Sequence, residues 1–426
     1  MFKKILLASV AAGSMVAASS AAHAGGFALR EQSAGAMGGA FAGAAAGAGG
    51  LSAMFWNPAT LTNNPGIQTS AVLTGILPYS NITPDASRSA TLVAVTQTSA
   101  ATGDIAQDAL LPAGYASWQV MDKLWVGLSI NTPFGLVTQN PNLSTGRLYG
   151  LTSKVASLDV APTIAYQVND WLSVGAGVRV MNFKVRLTGA TQTGLAILQG
   201  DDTAYGFTGG VTLKPWKGGE IGLGYRSGVS PKLNGTIATT AAADITANMK
   251  LPEQVTVGLR QQLTNDFTLL AGYEWTHWGT FTRFPVLTTS GATATTLNFD
   301  YRDSWYASVG GEYKWNKDLT LRAGLGFEKS PITDATRSVR LPDSDRTWAT
   351  LGASYSVNNK LSLDASYAHL FAKSGSINMV PGNPSYLTNL PLVASTKGHV
   401  DIISLSLTYR WDDPSPKASN KALVTK

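Results

Sequence analysis

The chain of 426 residues has no cysteine, which excludes a disulfide framework and a thiolate metal site. It is also poor in charge. Asp, Glu, Lys and Arg make up 14% of it, well below the roughly 25% of soluble globular chains. Beyond the first two dozen residues, no run approaches the roughly 18 apolar residues of a spanning helix. Lys and Arg are scattered, with no basic run outside the C-terminal tail. The net charge of +6 therefore makes no case for nucleic acid. Only His277, His369 and His399 lie beyond the N-terminal segment. No Gly-x-Ser-x-Gly elbow, His-x-x-x-His spacing, paired-carboxylate motif or phosphate loop occurs. The expectation is a non-enzyme with no metal and no cofactor.

What is present begins with an export signal. Lys3 and Lys4 form a basic start, Ile5 to Ala18 is a short apolar stretch, and Ala22-His23-Ala24 fits a small-x-small cleavage site. The chain that follows opens with GGFALREQSAGAMGGAFAGAAAGAGGLSAMFWNPA, from Gly25 to Ala59. This stretch is too rich in Gly and Ala for a packed core domain. A small Gly-rich segment placed before a barrel suggests a plug, and a plug implies regulated passage.

From Ile67 to Trp411 the pattern has period two. Ile403, Leu405, Leu407, Tyr409 and Trp411 share one face, and Ser404, Ser406, Thr408 and Arg410 the other. Leu319 to Phe327 and Phe267 to Trp275 alternate in the same way. A soluble sandwich would also alternate, but the apolar faces persist over about 9–11 residues, enough to cross a bilayer tilted. Aromatics gather at strand ends (Trp118, Trp125, Trp171, Tyr313, Trp315, Tyr409 and Trp411), as an interfacial girdle requires. The fold class is therefore all-β, a transmembrane antiparallel β-barrel with a plug in its lumen.

Strands beginning near residues 67, 109, 123, 154, 171, 203, 219, 245, 266, 303, 319, 345, 360 and 398 give about fourteen. Short turns such as 168–170, 315–318 and 357–360 belong to the periplasmic side. Long connections such as 80–108, 133–153, 188–202, 279–302, 329–344 and 373–397 belong outside. The domains are 1–24 signal, 25–66 plug, 67–411 barrel and 412–426 a disordered periplasmic tail. In the strand from Trp171, apolar parity switches from even (Leu172 to Val180) to odd (Met181 to Leu187). A β-bulge near Val180-Met181 would cause this.

These features resemble the FadL family of outer-membrane transporters for long-chain fatty acids, with its aromatic-hydrocarbon branch. The residues that carry the resemblance are GGFALREQSAGAMGGAFAG and Phe55-Trp56-Asn57-Pro58-Ala59 near the start. Leu251-Pro252-Glu253, Trp278-Gly279-Thr280-Phe281 and Asp303-Ser304-Trp305-Tyr306 follow. Ser330-Pro331 and Leu341-Pro342-Asp343-Ser344-Asp345-Arg346-Thr347-Trp348 complete the series. The resemblance implies a fourteen-strand barrel, an N-terminal hatch, an external groove, an internal pocket and an inward kink in the third strand. Through that kink the ligand would leave sideways into the bilayer. Gly127 in Leu124–Asn131 is the candidate kink, since Gly weakens pairing and permits a bend. The implied partners are hydrophobic small molecules, outer-membrane lipids and lipopolysaccharide, and the barrel assembly machinery. A polar tail after Trp411 departs from the usual terminal aromatic. The alternatives are aromatic-hydrocarbon uptake by the same route or a porin for small polar solutes.

A fatty acid needs an apolar slot and a cation for its carboxylate. Lys184 and Arg186, two apart after the expected bulge, would share a lumenal face. On the resemblance, Lys184 and Arg302 fall near the basic positions that hold the head group. Phe134 and Leu136, in the apolar run Pro133 to Val137, are candidates for the outer groove. The bulky hatch residues Phe27, Phe55 and Trp56 are candidates for anchoring or gating. Asn57, Pro58 and Ala59 would shape a turn.

Overall fold

The computed structural model describes residues 25–412 apart from 192–193 and 240. The targeting segment and residues 413–426 of the tail lie outside the described residues. Fourteen antiparallel wall strands close into a barrel. They are β1 (Ile67–Pro84), β2 (Ala109–Met121), β3 (Leu124–Asn131), β4 (Thr152–Gln167), β5 (Leu172–Thr191), β6 (Gly194–Leu213) and β7 (Gly219–Arg226). Then come β8 (Gln254–Gln262), β9 (Phe267–Thr276), β10 (Ser304–Lys314), β11 (Leu319–Lys329), β12 (Arg346–Ser356), β13 (Leu361–Ala372) and β14 (Leu392–Arg410). Each pairs with the next, and β14 returns to β1 from Gln68↔Arg410 to Pro84↔Ala394. Closure pairs the strand edges of the wall, as a bilayer demands, except over one stretch between β2 and β3.

Alternation sets the two faces. Ile403, Leu405 and Leu407 are exposed on the outer surface, while Ile402 and Ser404 at the alternate positions are buried. Outward aromatics form two belts. Trp118, Tyr166, Trp171, Tyr313, Trp315 and Trp411 lie at the short-turn end, and Tyr79, Tyr205, Phe207, Tyr273 and Trp305 at the other. Trp125 leaves the expected girdle. It is buried in the lumen, and its Nε1–H donates to the carbonyl of Asn64 at 3.1 Å.

Three expectations shift. The eighth wall strand is Gln254–Gln262, and Ala242–Asn248 belongs to an outer extension paired with Lys232–Ala238. Residues 188–202 are no loop, because β5 and β6 pair as far as Thr191↔Gly194. There is no bulge at Val180-Met181, since the register runs unbroken through Val180↔Tyr205 and Met181↔Ala204. Backbone parity stays constant and the apolar face changes sides instead. Val178 and Val180 face lipid, whereas Met181, Phe183 and Val185 face an apolar cluster inside. The strand has risen past the hydrocarbon, so its apolar residues are more useful inward.

Residues 25–66 fill the lumen with short turns: the helical turn Ala34–Met37 and the 3₁₀ turns Ala44–Ala46, Gly50–Phe55 and Pro58–Asn63. The Ser33 hydroxyl caps the first by accepting from the Ala36 N–H at 3.1 Å. The Asn57 side chain caps the last through the Ala59 N–H at 3.0 Å, and its Nδ2 donates to Ala45 O at 2.7 Å and Val211 O at 3.0 Å. Asn57 thus shapes the turn and ties the plug to β6. Small residues are needed on both sides of this joint. An added Cβ at Gly222 would land on the Ala45 carbonyl oxygen, and one at Gly224 on that of Trp56.

Candidate functional site

The lumen above the plug is closed by a cluster of buried apolar side chains. Phe27 sits at its centre, with ring centroids 4.8 Å from Trp278, 5.2 Å from Phe281 and 5.8 Å from Phe134. Met181 and Phe183 of β5, Leu136 and Leu341 complete its walls. Aromatics packed edge-to-face and tilted in this way bury large area with little polar demand.

Arginines bound this cluster below and above. Inside the barrel, Arg179 of β5 and Arg226 of β7 share one carboxylate, Asp159 of β4, at 2.5 and 2.8 Å. All three side chains are buried. Two guanidiniums against one acid leave this group one positive charge in excess. Arg226 also donates to the Phe55 carbonyl at 3.0 Å and lies 4.1 Å from the Phe55 ring centre, so it braces the plug. Arg340 lies above, between Leu341 of this cluster and Val339 of a second one. Its Nη1 donates to Thr152 O and Ser153 Oγ at 3.2 Å. Burial pushes its guanidinium down to about 10, with no carboxylate beside it among the described residues to hold the charge.

The plug is fastened to one side of the wall. Leu29 N–H donates to Pro133 O at 2.8 Å and Gly135 N–H to Phe27 O at 2.9 Å, which pairs Ala28 with Phe134. Gln32, fully buried, clasps the same segment. Its Nε2 donates to Thr132 O at 2.9 Å and Leu29 O at 3.3 Å, and its Oε1 accepts from Asn131 Nδ2 at 3.1 Å and Thr132 N at 3.3 Å. The Tyr115 hydroxyl donates to Gln32 O at 2.7 Å. Arg30 reaches the far wall, at 2.8 Å from Glu274 and 3.1 Å from Glu328. Between them lies Glu31, buried, with neither carboxylate oxygen partnered among the described residues. Burial pushes its carboxyl up to about 7. A cavity of about 10 Å³ lies beside Leu29, Arg30, Phe55, Trp56, Glu274 and Glu328, room for about one water.

Where the plug is fastened, the wall is incomplete. The β2–β3 ladder ends at Gly114↔Ile130. β2 continues to Ala109 paired with β1 and not with β3, while the segment Gly135–Gln139 forms its ladder with β4. An isolated bridge, Ala106↔Thr138, closes the gap above. The result is a window between Ala109–Ala113 and residues 131–137. Its cause is the break at Thr132-Pro133-Phe134, where the chain turns inward to pair with the plug. Pro133 lacks the N–H a ladder would need.

Several expected site residues lie elsewhere. Lys184 and Arg186 are exposed on the outer face, because the strand has no bulge to turn them inward. Arg302 donates from Nε and Nη2 to Ser330 O at 3.2 Å and lies 3.9 Å from Asp345, half-exposed. Gly127 is not the kink, since its pairing runs on through Ser117 and Thr163. An added Cβ there would come within 2.9 Å of Leu61 and Met54, so its role is to seat the plug. Phe134 and Leu136 are buried in the aromatic cluster rather than in an open groove. Phe27 lies in that cluster, and Phe55 and Trp56 are buried against the plug and wall with Pro58 and Ala59. Sequence reading missed Gln32, Arg179, Arg226 and Arg340. For Arg179 a signal existed: it falls on the lumenal parity of β5 once no bulge is allowed.

Comparisons with known proteins agree with this architecture. Residues 15–411 match the family model described as outer membrane protein transport protein (OMPP1/FadL/TodX). Outer membrane protein P1 of Haemophilus influenzae is 25% identical over 95% of this chain and 99% of its own length. The long-chain fatty acid transport protein of Escherichia coli O6:H1 is 26% identical over 86% of this chain and 92% of its own. The crystal structure of a Pseudomonas aeruginosa FadL homologue superposes with a TM-score of 0.83 at 23% identity, covering 91% of this chain and all of the other.

Proposed function

The chain belongs to the OMPP1/FadL/TodX family of outer-membrane transporters for hydrophobic compounds, and we propose that it takes up long-chain fatty acids passively. The ligand enters the aromatic cluster around Phe27, passes the plug, and leaves sideways through the window between Ala109–Ala113 and residues 131–137. The observation that carries this reading is the placing of arginines around the cluster. Arg179 and Arg226 share a single acid below it, and Arg340 above it has no carboxylate partner among the described residues. A hydrocarbon needs no such charge; a carboxylate in an apolar slot does.

The energetics require the plug to move. Burying about ten methylenes contributes roughly 8 kcal/mol at about 0.8 kcal/mol each, equivalent to a Kd of about 1 μM. A site that tight releases its ligand only when reshaped. Phe27, Phe55, Trp56 and the Asn57-Pro58-Ala59 turn all stand on the element that would reshape it. The richness of the cluster in Phe, Trp and Tyr supports a second reading, uptake of aromatic hydrocarbons by the same route.

Uptake of oleate and of toluene by cells carrying the wild type or Arg340→Gln separates the two. Gln removes the charge without orphaning an acid. Oleate uptake at low concentration should fall roughly tenfold, the effect of a charge-assisted hydrogen bond of about 1.5 kcal/mol, with toluene unchanged. If oleate uptake is unaffected, the carboxylate reading fails.

A further inference from the structure

Three cations gather on the outer surface of β4 and β5. Lys154 of β4 lies directly opposite Arg186 of β5, and Lys184 lies two residues below Arg186, diagonal to Lys154. All three are exposed and face outward. Like charges directly opposed across a ladder are destabilising. Among the other described wall pairs opposed charges are opposite in sign, as where Glu312 faces Arg322 across β10 and β11 at 2.8 Å. Among the described residues none of the three cations forms an ion pair. The acid opposite Lys184 is Asp201 of β6, one charge against three.

Height decides what would compensate them. On the same outward file, Val178 and Val180 are exposed to lipid. Lys184 stands four residues above Val180, about 13 Å along the strand at roughly 3.3 Å per residue. At a tilt of about 45° that is roughly 9 Å above the apolar band, and about 14 Å for Arg186. A phospholipid head layer is only about 5–7 Å deep. The partner must anchor in the bilayer beneath and carry several anionic groups well above it.

We propose that Lys154, Lys184 and Arg186 bind the phosphate groups of a phosphorylated glycolipid of the outer leaflet. The site rests on the orientation of the barrel, with long connections outward, and is independent of what the lumen carries.

The test compares the wild type with the combined Lys154→Gln, Lys184→Gln, Arg186→Gln variant, both folded by heat-modifiable gel migration. Each full-length protein in detergent at low salt is mixed with purified rough-type lipopolysaccharide, phosphatidylglycerol or inorganic phosphate, and bound ligand is read by native mass spectrometry. At about fivefold per cation near a charged surface, the variant should hold lipopolysaccharide roughly a hundredfold more weakly. Phosphatidylglycerol and phosphate should bind the two alike. A second variant, Lys123→Gln, Lys217→Gln, Lys314→Gln at the opposite end, should match the wild type. Equal lipopolysaccharide binding by wild type and first variant overturns the proposal. So does an equal loss for phosphatidylglycerol, which would mean any anionic lipid suffices, or an equal loss in the second variant, which would mean diffuse charge.

Discussion

Gln32→Ala should loosen the plug where it matters. Gln32 is fully buried and engages both the N–H and C=O of Thr132, at 3.3 and 2.9 Å, where the wall has given up its own ladder. Alanine leaves both groups buried without that partner, and frees Asn131 Nδ2 from one of its two acceptors. An unsatisfied buried group costs about 1–3 kcal/mol. Two of them, partly relieved by local adjustment, give about 3 kcal/mol against the fastened state. That corresponds to a roughly hundredfold larger population of the released plug. Hydrogen exchange followed by mass spectrometry is the assay. Amides of residues 27–33 and 131–135 should exchange roughly a hundredfold faster, while β9 to β13 keep their protection. If residues 27–33 exchange at the wild-type rate in a folded barrel, the clasp does not hold the plug.

Other outcomes follow from the same geometry. Glu31 is flanked by Arg30, Glu328 and Arg346, yet holds its proton up to about 7 against an ordinary 4.5. The fastened plug is therefore most stable below about pH 4.5 and weakens as pH rises to about 7. Glu31→Gln should flatten the pH dependence of exchange at residues 27–33, and an unchanged slope would remove Glu31 from the linkage. Gly224→Ala puts a methyl on the Trp56 carbonyl oxygen, an overpacking cost of about 1–3 kcal/mol. The plug should become protease-sensitive while the barrel stays folded; full resistance would mean the wall can yield there. In planar bilayers the intact protein should pass no large steady ion current, and one that did would indicate a porin.

The barrel was legible because a bilayer imposes period two on every lipid-facing file, so β9 to β14 could be read from residues such as Ile403, Leu405 and Leu407. The plug was legible from its Gly and Ala content, though not the reason for that content, which lies in wall glycines such as Gly222 and Gly224. Above the hydrocarbon the code reverses, since apolar residues turn inward and charges outward. Reading that reversal as a bulge placed Lys184 and Arg186 in the lumen. A glycine such as Gly127 is the local signal for a kink, but the physical cause of the gap is Pro133 with a competing partner, the backbone of Phe27 and Leu29. Such a partner, more than a hundred residues away in sequence, leaves no local pattern.

On the proposed route, ligand passes only when the plug parts from the wall at Ala28–Phe134. These two form a pair flanked by hydrogen bonds from Gly135 to Phe27 and from Leu29 to Pro133. In such a non-hydrogen-bonded pair the Cα atoms lie about 4.5 Å apart, close enough for a disulfide. The chain has no cysteine of its own, so Ala28→Cys with Phe134→Cys gives a single reversible lock. Oleate uptake by that variant, measured oxidised and then reduced, should be absent in the first state and return in the second. Equal uptake in both states would contradict the account.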